Sequence, residues 1–256
     1  YESFPLTEIQ HAYLVSRGDS SSQATVGTTY CQIFAVDEID LDRLDAAWGK
    51  VQKRHGMMRA SVEEDGTQSI APSSKIGHIE RAECANSSEA KQQLEEIKRT
   101  VFALAKPPLH RVVSISWHEE SGKQTRLVFC FDYTVLDALS VMTVLAELAE
   151  LYENPGADLP GIGLTFRDFV VGHRRDGREV EEAEGYWRSR LPELPPAPQL
   201  PLAADPSTVG EGRFERLWRT VAEPEWSAVK EKARLHGITP SAVLLACYAR
   251  VLSAWS

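Results

Sequence analysis

In the stretch FCFDYTVLDALSVM, residues 129–142, Asp132 and Asp137 stand where an apolar run of strand character passes into an apolar run of helical character. Burying a carboxylate is costly unless it is paired or hydrogen-bonded. Each aspartate must therefore meet a partner or face a reaction centre. A carboxyl group of raised pKa can deliver a proton to a departing oxygen. A carboxylate can instead fix a loop by accepting backbone N–H bonds. Ser140 follows in the same stretch, but no His–Asp pair at triad-like positions accompanies it. It reads as support for the first turns of the helix, not as a nucleophile. The seven histidines include no pair at HExxH spacing, and the four cysteines are scattered without a CxxC, so no metal centre is expected. Cys130 and Cys247 lie in apolar surroundings and read as small buried hydrophobes.

The elements around this stretch follow from periodicity. Thr7–Arg17 reads as a helix capped by Thr7, and Thr28–Val36 as a β-branched and aromatic strand. Leu41, Leu44, Trp48 and Val51 recur at helical spacing behind Asp40 as cap. Met58–Glu63 and Gln68–Ile70 flank Asp65-Gly66 as a hairpin. Ala90–Leu104 reads as a helix stopped by Lys106-Pro107-Pro108. Leu109–Trp117 and Thr125–Phe131 are expected as central strands, followed by helices over Ala138–Tyr152, Phe166–Arg174 and Glu179–Arg190. Residues 191–212 hold six of the chain's 14 prolines, a density that makes an extended connector. A strand over Gly212–Ala222 and a helix over Glu223–His236 come next. Thr239 then caps a last helix with Pro240 in its first turn. That helix is apolar on nearly every side, so a cover for it is expected from beyond Ser256.

Strands and helices alternate throughout, which makes the class α/β. A hydrophobic content of 43% supports a core, and 28 basic against 37 acidic residues give a formal net charge of −9. An acidic chain without a basic stripe is a poor nucleic-acid binder. No apolar run reaches membrane-spanning length, and YESFPLTEIQ has no basic or apolar signal region. The expectation is a soluble, cytoplasmic protein of a reducing compartment, with no nucleic-acid or membrane partner.

Several ordered segments resemble the heterocyclization domains of nonribosomal peptide synthetases, within the condensation-domain superfamily. FPLTEIQHAYLVSR, residues 4–17, resembles FPLTxxQxAYxxGR, with Ser16 for glycine. RHGMMR, residues 54–59, resembles RHxMLR, with Met58 for leucine. DYTVLDALS, residues 132–140, fits DxxxxDxxS, which replaces the HHxxxDG of ordinary condensation domains. LPPAPQLPL, residues 194–202, fits LPxxPxLPL, and the last helix fits a TPSxxL…WS pattern.

The resemblance implies a chloramphenicol-acetyltransferase-like fold of two α/β lobes with a mixed sheet and flanking helices, and an active site in the tunnel between them. Residues 1–190 would form the N-terminal lobe, 191–212 the interlobe connector, and 213–256 the start of an incomplete second lobe. The implied activity joins a carrier-bound acyl or peptidyl thioester to carrier-bound Cys, Ser or Thr. Cyclization and loss of water then give a thiazoline or oxazoline. The implied partners are donor and acceptor carrier proteins and neighbouring synthetase domains. No cofactor would bind directly; phosphopantetheine belongs to the carriers. Asp132 takes the place of the first histidine of HHxxxDG, Tyr133 of the second and Asp137 of the aspartate. Tyrosine, with a reference pKa near ~10, is a poor general base at neutral pH, which speaks against a His-dependent acyltransferase. Asp132 and Asp137 are the candidate catalytic residues. Asp137 is expected in a buried ion pair with Arg59, and Asp132 either fixes its loop or faces the substrate. Arg59 and Ser140 would support the site, and Tyr133 and Tyr13 are candidates to line the tunnel. Two other readings stay open: an amide-forming condensation domain without cyclization, and a non-catalytic lobe that docks carriers. The isolated chain is expected to be inactive, because part of the tunnel wall is missing.

Overall fold

The computed structural model describes residues 2–18, 28–172, 177–205, 208 and 217–256. The chain divides into two compact units. Of the described residues, 2–18 and 28–172 belong to the first, and 177–205, 208 and 217–256 to the second. The division falls ahead of the 190/191 boundary expected from proline content, and the helix up to Arg190 belongs with the second unit.

The first unit is built on two sheets. In the larger, strands β2 (Thr29–Val36), β7 (Gly122–Asp132), β6 (His110–Glu119) and β5 (Glu80–Glu83) lie in the order β2-β7-β6-β5. The first three are antiparallel, and β5 runs parallel to β6. A smaller antiparallel sheet orders β1 (Phe4–Pro5), β4 (Thr67–Ile70) and β3 (Ala60–Val62) as β1-β4-β3. The β3–β4 turn uses Gly66 at φ 81°, a left-handed conformation that glycine adopts without a Cβ penalty. Strands β1 and β5 escaped the sequence reading. One has two residues, and the other, ERAE, carries charge on an edge strand.

Alternation along β6 and β7 gives the large sheet two buried faces. Val112, Leu127, Phe129 and Phe131 pack against Leu44, Trp48 and Val51 of α2 (Leu41–Arg54) and Val141, Val144 and Leu148 of α4 (Ala138–Glu153). On the opposite face Val113, Ile115, Trp117 and Val128 pack against Ala90 and Ile97 of α3 (Ser87–Lys98). Asp40 caps α2 as expected, accepting from the amides of Asp42 and Arg43, each at 3.0 Å. Helix α3 ends at Lys98 instead of continuing to Leu104. The Thr100 hydroxyl donates to the Ile97 carbonyl at 2.7 Å, and the Leu104 carbonyl accepts from Val62 N at 2.9 Å. The segment after α3 thus runs to the β3 edge in place of a further helical turn.

Cys31 and Cys130 form a disulfide, which corrects the reading of Cys130 as a lone buried thiol. They are direct cross-strand partners in the β2–β7 register, a relation that sequence spacing did not reveal. Helices α1 (Glu8–Gly18) and α5 (Phe166–Gly172) complete the first unit.

The second unit contains α6 (Gly177–Arg190), a short 3-10 turn at Leu191–Glu193, an extended run, α7 (Glu223–Leu235) and α8 (Pro240–Trp255). Thr239 caps α8, its hydroxyl accepting from Ala242 N at 3.2 Å, and Pro240 occupies the first turn. Gly237, at φ 65°, closes α7, and Ile238 N reaches back to the Ala233 carbonyl at 3.0 Å. The expected strand over Gly212–Ala222 is not formed where it is described: residues 217–222 have no regular structure, and 212–216 lie outside the described residues. Cys247 is exposed, as are Leu244, Leu245, Tyr248, Val251 and Trp255 of the same helix. This corrects the expectation of a buried Cys247: the apolar faces of α8 extend beyond what α7 covers. Among the described residues, no single helix is long and apolar enough to cross a membrane.

Candidate active site

The loop from Asp132 to Asp137 leaves the end of the central strand β7 and enters α4. Its backbone is pinned at the start. Asp132 N donates to Leu109 O and Tyr133 N to Thr28 O, each at 2.9 Å. The Asp132 carboxylate is fully buried. Its Oδ1 accepts from Thr134 N at 2.9 Å, an Asx turn, and from Thr28 Oγ1 at 2.8 Å. Its Oδ2 is paired with the guanidinium of Arg17. Arg17 Nη2 also donates to Thr28 Oγ1 at 2.9 Å, and Nη1 to Phe102 O at 3.1 Å. Helix α1 therefore reaches the acidic loop through its last turn.

Its first turn reaches the same loop through an amide. Gln10, buried, donates to Thr134 O at 2.8 Å and to Gln68 Oε1 at 2.9 Å. Gln68 donates in return to Pro5 O, and Thr7 N donates to Gln10 Oε1. Both ends of α1 hold the segment that carries the aspartates, which gives FPLTxxQxAYxxGR a physical function.

Asp137 is exposed and sits at the N-cap of α4, where Oδ1 accepts from Ser140 N at 2.7 Å. Hydrogen bonds from the Ser140 hydroxyl and then its amide lower the Asp137 pKa below the usual carboxylate value. The positive end of the helix dipole adds to the same effect. Asp137 is therefore ionised at neutral pH.

Asp132 fixes its loop through Thr134 N, one of the two roles expected of it, but the buried ion pair expected of Asp137 is not found there. The ion pair belongs to Asp132 with Arg17, in place of Asp137 with Arg59. Arg59 is buried, and its guanidinium donates to carbonyls at the end of α2: Gln52 O, Lys53 O at 3.0 Å and His55 O at 3.5 Å. It also reaches Ala71 O at 3.1 Å. A helix C-terminus presents unpaired carbonyls and partial negative charge, so it attracts this cation. Arg59 supports the site at one remove, by closing the helix on which α4 packs. Arg54 and His55, at that same helix end, both meet Glu147 of α4, at 3.0 and 2.6 Å.

Tyr133 is half-buried and stacks on Tyr30, with ring centroids 5.5 Å apart and planes 17° apart. Tyr13 is half-buried on α1, its carbonyl accepting from Ser16 Oγ at 2.9 Å. Arg17, Thr28 and Gln10 are the site residues that sequence reasoning passed over. Arg17 closes the first motif and Gln10 lies inside it, so their signal was the motif itself. Thr28 carried none. Among the described residues no group of three or more His, Cys, Asp or Glu side chains could hold a metal ion.

A match to the condensation domain covers residues 2–256. The chain belongs to the condensation domain family. This condensation-family chain is 31% identical over its whole length to bacitracin synthase 1 of Bacillus licheniformis, of which it spans 5%. It is also 31% identical over its whole length to phenyloxazoline synthase MbtB of Mycolicibacterium paratuberculosis, of which it spans 22%. Among solved structures, 99% of the chain superimposes on the EpoB cyclization-docking bidomain of Sorangium cellulosum, with TM-score 0.88 and 32% identity. The chain covers 52% of that neighbour. The α/β class and the chloramphenicol-acetyltransferase-like lobe expected from sequence hold, with a mixed sheet between helices. The heterocyclization resemblance holds as well, in the likeness to a cyclization domain of a nonribosomal peptide synthetase.

Proposed function

We propose that this chain is the part of a heterocyclization domain that carries its acidic loop. The complete domain joins a carrier-bound acyl or peptidyl thioester to carrier-bound Cys, Ser or Thr. It then closes the side chain onto the new amide and expels water, to give a thiazoline or oxazoline. The single observation that carries the reading is the acidic loop itself: Asp132, Tyr133 and Asp137 occupy the three named positions of HHxxxDG without a histidine, and Arg17 holds Asp132 in place. MbtB is named for an oxazoline and the EpoB bidomain for cyclization, and both names support this reading.

In the first step the amine of the acceptor attacks the thioester carbonyl, an amide forms and the donor thiol leaves. A thioester is already activated towards an amine, so positioning can suffice without a histidine base. In the second step the side-chain thiol or hydroxyl attacks that amide carbonyl, and its oxygen departs as water. Asp137, exposed and ionised at the mouth of α4, accepts a hydrogen bond from the acceptor's N–H, O–H or S–H and orients it. Its lowered pKa makes it a poor source of the proton that leaves with water. Asp132, fully buried and bonded to three donors, is a positioning residue that sets the loop through Arg17, Thr28 and Thr134. Phosphopantetheine enters as the arm of donor and acceptor carriers, so the partners are carrier proteins and neighbouring synthetase domains. The 256 residues alone are inactive on this reading.

The test supplies loaded carriers to the complete synthetase module and follows the product by mass spectrometry. A condensed product that has lost one water supports the reading, and a linear amide alone refutes cyclization. Asp137→Asn isolates the charge, because Asn caps a helix about as well as Asp. Heterocycle formation should fall at least about tenfold at unchanged melting temperature. Unchanged turnover would remove Asp137 from the chemistry.

A further inference from the structure

The Tyr30–Tyr133 pair is the outermost step of an aromatic row on one face of the β2–β7 pair. Phe129 and Phe131 stack along β7, with centroids 6.4 Å apart and planes at 14°, and Phe34 of β2 meets Phe129 edge-on at 5.9 Å. In the register Tyr30 lies opposite Phe131. The Tyr30 ring nevertheless stacks on Tyr133, the diagonal neighbour that long aromatic side chains can reach across antiparallel strands. Three further contacts fix this step. The Tyr133 amide donates to Thr28 O at 2.9 Å, on β2's side of the pair. The Tyr30 hydroxyl donates to Gln32 Oε1 at 2.5 Å, which ties the ring to its own strand. The next residue along, Asp132, is locked to Arg17. Phe131 is fully buried, whereas Tyr30 and Tyr133 are half-buried, so the row ends in two half-buried rings at the start of the acidic loop. In the large sheet β2 is an edge strand, and Tyr30 is its ring at the end of the row.

We propose that Tyr30 is a positioning residue, whose stacked ring holds the Tyr133 phenol in one orientation beside the Asp132–Asp137 loop during heterocycle formation. The inference rests on the proposed function in taking that loop as the reaction site. Tyr133 stands where the superfamily's second histidine stands, so an oriented phenol there bears on the acceptor in either step. Gln32 acts through Tyr30 by fixing its hydroxyl end. A stacked aromatic pair biases ring orientation by about two- to tenfold beyond what burial alone gives. The dependence falls on kcat, since the ring orders a bound acceptor and leaves carrier docking alone.

The experiment compares Tyr30→Leu and Tyr30→Phe in the complete module with loaded carriers, and reads kcat, KM for the acceptor carrier, the ratio of linear to cyclized product and melting temperature. Tyr30→Leu should lower kcat for heterocycle about tenfold with KM unchanged, and Tyr30→Phe should restore most of it, because the stack survives without the hydroxyl. A leucine variant with parental kcat, or a phenylalanine variant as slow as the leucine one, overturns the proposal. Fluorine NMR of the chain with 3-fluorotyrosine at position 133 decides the matter if the leucine variant unfolds. A resonance displaced from that of free 3-fluorotyrosine is expected for a held ring, and a coincident one overturns the proposal. A parental module that yields only linear amide would refute the heterocyclization reading by itself, and the Tyr30 variants would then be read on the rate of amide formation.

Discussion

Replacing Arg17 by Met should destabilise the first unit more than any other change at the acidic loop. The Asp132 side chain is 0% exposed and that of Arg17 12%, so nearly all of the pair is withdrawn from water. With Met at 17, Asp132 keeps Thr28 Oγ1 and Thr134 N on Oδ1 but loses the guanidinium on Oδ2. Breaking a buried pair from one side typically costs about 3–5 kcal/mol, because the other charge is left uncompensated. For a unit of this size each kcal/mol lowers the melting temperature by about 2–4 °C, which places the fall at roughly 6–20 °C. Asp132→Asn is expected to be milder, at about 1.5–3 kcal/mol. The amide oxygen keeps both Oδ1 donors, and Arg17 keeps Phe102 O and a route to water. The double variant should then cost about 1–3 kcal/mol less than the sum of the two, the coupling of groups in direct contact. Urea denaturation followed by circular dichroism measures all three, in low salt and again at about 0.5 M. The Arg17→Met loss should persist in salt, since screening acts weakly on a buried pair. An Arg17→Met variant within about 0.5 kcal/mol of the parent, or strict additivity in the double variant, would refute the ion pair as the anchor of this loop.

Other measurements bear on neighbouring groups. His110 is buried, with Nε2 unpartnered among the described residues, and burial lowers its pKa from 6.5 to about 4. Because the unfolded chain binds this proton more readily, stability should be complete above about pH 6.5 and fall by about 3 kcal/mol as pH drops through about 4. A His110→Gln variant that keeps the same slope between those values would assign the loss to another group. Asp137→Ala removes the cap of α4 and should cost about 0.5–2 kcal/mol, against little for Asp137→Asn; equal melting temperatures for the two would contradict the capping role. Gln68→Leu leaves the Gln10 amide short of a partner in a buried site and should cost about 1–3 kcal/mol, readable in the same denaturation assay.

Local chemistry was legible in the sequence wherever it is decided within a few residues. Asp40 before a helical apolar repeat, Thr239-Pro240 at a helix start and Asp65-Gly66 between short strands all gave the elements found. The central strands β6 and β7 and helix α4 followed from runs of apolar residues of the right length. Helix α3 was overextended because a distant edge, β3, claims the Leu104 carbonyl. Strands β1 and β5 exist only through the partners they pair with. Cys31 and Cys130 are 99 residues apart in the chain, and nothing near either of them announces the other.

The candidate site divides in the same way. By itself the sequence determined that Asp132, Tyr133 and Asp137 lie together between a strand and a helix, that Ser140 stands one turn inside that helix, and that histidine is missing where a histidine-based acyltransferase would need it. Only the tertiary structure decided which aspartate is buried with a cation. Arg17 is 115 positions from Asp132, and the β2–β7 register and the last turn of α1 bring them together. Arg59, nearer in sequence and already buried, is drawn to the carbonyl end of α2. A cation is captured by the electronegative groups that the fold places within its reach, and folding sets those distances in ways that spacing along the chain does not encode.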